Sequence, residues 1–77
     1  MVPRKIRQLL KDYQKAGFFI VIGAGKGDHR KLRHQKIPGS IIVDGKSGSD
    51  CRHYQEKDLQ TALRNLEQVE KENEKYR

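Results

Sequence analysis

At 77 residues the chain is one domain, residues 1–77, near the lower size limit for a self-supporting core. Its single cysteine excludes an internal disulfide framework and favours a reducing compartment. With 17 Lys/Arg against 10 Asp/Glu the net charge is +7, and no apolar run approaches the roughly 20 residues of a membrane span.

The charge is unevenly placed. Residues 1–36 hold ten Lys/Arg against Asp12 and Asp28, whereas residues 55–77 hold five bases against six acids. A surplus confined to one half is the pattern of a polyanion-binding face. The start of the chain runs directly into an amphipathic pattern without a signal-peptide apolar region, so a soluble, cytoplasmic protein with no membrane partner is expected.

Val2 to Ala16 reads as a helix. Ile6, Leu9, Leu10 and Tyr13 fall at i, i+3, i+4 and i+7 and make one apolar stripe. Pro3 suits its first turn, and Gly17 suits a left-handed C-cap. The Arg and Lys residues on its other faces read first as a solvated surface. Gly17 to Ile22 is the clearest strand, β-branched and aromatic with no polar alternation. Because both of its faces are apolar, one should meet the helices. The other needs a covering partner, either a companion protein or a second copy in a homodimer through the outer face of this strand.

Gly23-Ala24-Gly25-Lys26-Gly27 reads as a hairpin turn. No Gly-Lys-Ser/Thr follows, which rules out a P-loop, and Arg30 occupies the third-glycine place of a dinucleotide fingerprint. Asp28 to His34 then returns as a second strand. Strand period puts His29, Lys31 and Arg33 on one face and Arg30, Leu32 and His34 on the other. Leu32 marks the inner face, so His29, Lys31 and Arg33 share the outer one.

Ile37-Pro38-Gly39 reads as a turn, Ser40 to Val43 as a third strand, and Asp44 to Asp50 as a loop. The Gly45-x-x-Gly48 pattern there resembles the KH clamp but follows a strand, where that clamp joins helices. From about Gln55 a second helix runs to the end, with Leu59, Ala62, Leu63, Leu66 and Val69 as its buried stripe. The ordered core spans about residues 3–69 and residues 70–77 form a polar helical tail. The predicted class is α+β, in the order α-β-β-β-α, with a three-stranded antiparallel sheet and two helices on one face.

RNA cleavage without a metal needs a base for the 2′-hydroxyl proton, cations for the phosphorane charge and an acid for the leaving 5′-oxygen. Histidine suits the proton work, because its unperturbed pKa of about 6.5 makes both forms available near neutrality. His29 is the catalytic candidate, and Lys26, Arg30, Lys31 and Arg33 are the candidate RNA contacts. Asp28 beside it would either raise the histidine pKa or repel phosphate. A second proton carrier could be His34, His53, Tyr54 or water; His34 points to the inner face, so His53 is preferred. His29, His34, Cys51 and His53 match no usual structural zinc spacing, and neither metal nor cofactor is expected.

Lys5-Ile6-Arg7, Ala16-Gly17-Phe18, the run Gly25 to Lys31 and Tyr54-Gln55-Glu56 together resemble HicA-type toxins (YcfA-like), small bacterial mRNA interferases with a double-stranded-RNA-binding-domain-like fold. The likeness covers roughly residues 3–69. It implies the toxin component of a type II toxin–antitoxin system, acting as a cytoplasmic endoribonuclease on mRNA and inhibiting translation. The family's catalytic histidine maps to His29, and a HicB-type antitoxin is implied to cover the active face. Asp28 stands where the family often carries serine. The segment before the second helix lacks the lysine-rich element of true double-stranded-RNA-binding domains, so duplex RNA is not expected to be the main target. A non-cleaving RNA-binding module or an inactive toxin homologue is the alternative expectation.

Overall fold

The computed structural model describes residues 4–21 and 29–75, with side chains through residue 72. Pro3, Ile22, the glycine turn at 23–27 with Lys26, and Asp28 lie outside the described residues. The order is α1 (Ile6–Lys15), β1 (Phe19–Ile20), β2 (Arg30–His34), β3 (Ile37–Val43) and α2 (His53–Lys75). The three strands form one antiparallel sheet in the order β1-β2-β3, so β2 is central. Both helices pack on one face of it. Ile6, Leu9 and Tyr13 of α1 meet Leu32 and Val43 of the sheet and Leu59 and Ala62 of α2 in a single cluster.

α1 begins without a side-chain cap. Its exposed N–H groups are instead taken by the loop after β3: Ile6 donates to the Ser49 carbonyl at 2.9 Å and Arg7 to that of Ser47 at 3.0 Å. At its other end Gly17 adopts φ +100°, the left-handed geometry a C-terminal closure requires. Phe18 N–H then reaches the Tyr13 carbonyl and Gly17 N–H that of Gln14, each at 3.0 Å, which is the Schellman arrangement. The accompanying apolar contact is aromatic, with the Tyr13 and Phe18 rings edge to face at 5.1 Å. A Cβ on Gly17 would lie 2.8 Å from Nε2 of His34, so the close approach needs glycine as much as the φ does.

Two expectations about the strands and one about the second helix need correction. β1 contains only Phe19 and Ile20, because Phe18 is consumed in closing α1; Val21 adds one further bond, to the Lys31 carbonyl at 2.8 Å. Ile37-Pro38-Gly39 is strand, not turn. The turn is Gln35-Lys36, and β3 starts at Ile37. β3 is an edge strand, where proline costs no ladder bond. A register shift opposite Leu32 to His34 absorbs the extra residues, with Gly39 at φ +85°. On α2, Leu63 is 41% exposed, and the buried stripe runs Gln55, Leu59, Ala62 and Leu66.

Tyr13 is fully buried, yet its hydroxyl has no hydrogen-bond partner among the described residues. Burial, with Asp58 and Cys51 adding to it, pushes that hydroxyl from 10.0 up to about 12. The folded state therefore holds the neutral form, and the stability this contributes is present below about pH 10 and lost as pH rises towards 12. Burial raises the Cys51 thiol in the same direction. Tyr13→Phe is expected to flatten the fall in melting temperature between pH 10 and 12, the interval set by the two Tyr13 values, and to cost little at pH 7. An unchanged alkaline profile would contradict this. Gly17→Ala, by contrast, should destabilise by about 1–2 kcal/mol or more in urea unfolding, since alanine resists left-handed φ and meets His34.

Candidate nucleic-acid interface and catalytic histidine

His29 sits immediately before β2 and is exposed. Its placement follows from Leu32, which is fully buried. With Leu32 opposite Ile41 on the inner face, Lys31 stands opposite Ile42 and Arg33 opposite Phe19 on the outer face. His29 lies one residue before the first paired residue of β2, so the register fixes the outer face for Lys31 and Arg33 and not for His29. Among the described residues, none makes a hydrogen bond or ion pair with the side chains of His29, Lys31 or Arg33. His29 and Arg33 are exposed and Lys31 is partly buried.

Arg30 belongs elsewhere. Its Nη1 donates to the Gly45 carbonyl at 2.9 Å, so its guanidinium serves the loop after β3 and does not join Lys31 and Arg33. Strand alternation explains this, since Arg30 is paired with Val43 on the inner face. Lys26 lies outside the described residues.

His34 is a structural residue. Its Nδ1 accepts the Lys36 N–H at 3.0 Å, which leaves the proton on Nε2 for donation to the Ala16 carbonyl at 3.0 Å. Its ring stands edge-on to Phe18 at 4.9 Å. Both nitrogens are occupied, so His34 is not available for proton transfer to a substrate. His53 opens α2 and is exposed, with Cys51 buried two residues before it. The structure does not bring His29, His34, Cys51 and His53 together. Among the described residues no group of three or more His, Cys, Asp or Glu could hold a metal ion.

The join between β3 and α2 is built by residues that apolar patterning did not select. Gln55, 4% exposed, is the third helical residue; its Oε1 accepts the Arg52 N–H at 2.8 Å, half of a capping box. Its Nε2 donates to the Asp44 carbonyl at 2.9 Å and to Asp44 Oδ1 at 3.2 Å. Tyr54 donates its hydroxyl to the same Oδ1 at 3.0 Å, which raises the tyrosine pKa. Arg4 links the helix starts, with Nη1 on Asp12 at 2.8 Å and Nε on Glu56 at 3.1 Å. A signal for Gln55 exists in the sequence: it stands four residues before Leu59 and three after Arg52, the spacing of both a buried stripe and a capping box.

Gly45 and Gly48 lie in a loop already committed to capping α1. Gly45 packs against Ile6 so closely that an added Cβ would lie 3.5 Å from it, and the loop does not form a helix-joining clamp. The groove between β3 and α2, about 470 Å³, is lined by Ile37, Pro38, Ile41, Asp58, Ala62 and Asn65 among others, and includes none of His29, Lys31 or Arg33.

Among the described residues, no helix is long and apolar enough to cross a membrane. No protein-family model, curated protein or solved structure matches this chain.

Gln55→Leu keeps the size of the side chain but leaves the Arg52 N–H and Asp44 carbonyl without their partner. It is expected to lower unfolding free energy by about 1–3 kcal/mol. Tyr54→Phe, which removes only an exposed hydroxyl, should stay within about 1 kcal/mol of the parent. Equal losses in both variants would show that Gln55 does not hold the join.

Proposed function

We propose that this domain is a metal-independent endoribonuclease acting on single strands of RNA. The observation that carries this reading is an exposed histidine immediately before β2, followed by Lys31 and Arg33 on the outer sheet face, with no side-chain partner for any of the three among the described residues. More particularly, the proposed protein is a HicA-type toxin that cleaves mRNA and is neutralised by a HicB-type antitoxin. What supports this reading is the α-β-β-β-α order, which is the order the resemblance implies.

In the proposed reaction His29 takes the 2′-hydroxyl proton. The 2′-oxygen forms a bond to phosphorus, and the bond from phosphorus to the 5′-oxygen breaks. Lys31 and Arg33 hold the phosphate backbone and stabilise the charge that develops on the phosphoryl oxygens. The leaving 5′-oxygen takes a proton from water or from an exposed group such as His53. The products carry a 2′,3′-cyclic phosphate and a 5′-hydroxyl.

A non-cleaving RNA-binding module is the second reading. It is favoured by the engagement of both ring nitrogens of His34, which removes one of the three histidines from proton transfer.

The deciding experiment incubates single-stranded RNA with the parent and with His29→Ala, with and without EDTA, and identifies the product ends. Cyclic phosphate ends are expected from the parent regardless of EDTA. His29→Ala should lose about 100-fold or more in rate while retaining its circular dichroism spectrum. Undiminished cleavage by the variant would overturn the assignment of His29. Intact RNA with the parent, together with salt-sensitive binding, would establish the second reading.

A further inference from the structure

The outer face of the sheet carries more than cations. Phe19 is 47% exposed and Ile42 54% exposed there. In the register Phe19 is the cross-strand partner of Arg33, and Ile42 that of Lys31, so each apolar group stands beside a positive one. β1, β2 and β3 contain no Asp or Glu. Phe18 and Tyr13 already fill the aromatic part of the core, with 4% and 0% exposure, so Phe19 is not required for packing. A large ring is thus left in solvent beside a guanidinium.

We infer that Phe19 and Arg33 form a stacking subsite for an unpaired nucleobase on the outer sheet face, Arg33 lying in the strand that His29 immediately precedes. The occupant is a single strand of RNA, because it offers both features this surface complements: phosphates for Lys31 and Arg33, and exposed aromatic base faces for Phe19. A duplex hides its base faces in the stack, and an acidic protein surface would use the cations without needing the ring. The spacing suits a strand laid along β2. Arg33 is four positions after His29, roughly 13 Å of extended chain at about 3.3 Å per residue, which leaves room for a few nucleotides between the stacked base and the reacting bond. The subsite rests on the RNA-cleavage reading for its relation to His29, and it adds what that reading lacks: a contact that selects unpaired substrate.

The chain contains no tryptophan, so Phe19→Trp introduces a sole tryptophan, whose emission is excited selectively over that of the three tyrosines. In a His29→Ala background, to prevent cleavage, its emission should be quenched by a short single-stranded RNA and not by the same sequence as a duplex. In the same background, Phe19→Ala should weaken single-strand binding by about fivefold or more, measured by anisotropy, and leave binding of polyphosphate unchanged because that polyanion has no bases. Equal RNA affinity with and without the ring would overturn the subsite, as would equal quenching by the duplex. RNA that is bound with the expected Phe19 dependence but never cut by the parent would remove the nuclease reading and leave the subsite standing. Absence of RNA binding to the parent at low salt would remove both.

Discussion

The burial of Leu32 is the constraint on which the arrangement of the outer face depends. β2 is the central strand, and Leu32 is its one fully buried residue, packed among Ile6, Leu9, Tyr13, Val43 and Leu59. A strand has a side-chain period of two, so a slip of one residue would turn Leu32 to solvent and drive Lys31 and Arg33 towards the core. Burying an unpaired charge costs far more than burying a leucine contributes. The register is therefore strongly determined, and with it the placement of Lys31 and Arg33 on the outer side.

A second feature is how little of the framework relies on side-chain caps at the start of α1. The segment 44–51 is loop by composition, but its carbonyls close the N-terminus of α1 and the Cys51 N–H returns to the Arg4 carbonyl at 2.8 Å. Gln55, Tyr54 and Arg30 converge on Asp44 and Gly45 from α2 and β2. This segment thus joins both helices to the sheet through hydrogen bonds, in a domain whose core is too small to do so through apolar area alone. The exposed ion pairs around it, such as Lys5–Asp50 at 2.6 Å, add little by comparison.

Much of the fold was legible in the sequence wherever a long periodic run was present. The α1 stripe, the α2 stripe from Leu59 to Leu66 and the inner placement of Leu32 all follow from spacing. Pro38 and Gly39 misled, because a proline–glycine pair signals a turn in isolation and only membership of an edge strand makes it compatible with a ladder. The length of β1 was overestimated for a related reason: Phe18 has strand propensity, but its N–H is used to close α1. At the candidate site, the shared outer face of Lys31 and Arg33 was legible from alternation. The diversion of Arg30 to the Gly45 carbonyl was not, since nothing local links residue 30 to residue 45.

By itself the sequence determined the element order, the identity of most core residues and the concentration of positive charge in the first half, because each rests on local periodicity or composition. Tertiary structure decided the commitments. His34 is occupied by Ala16 and Lys36, and Arg30 is occupied by the loop. Phe19 is left in solvent while its neighbour Phe18 is buried. The physical reason is that hydrogen-bond partners and burial are set by groups distant in the chain. Residue type states what a side chain can do, whereas packing and pairing decide which of those capacities remain free for a ligand.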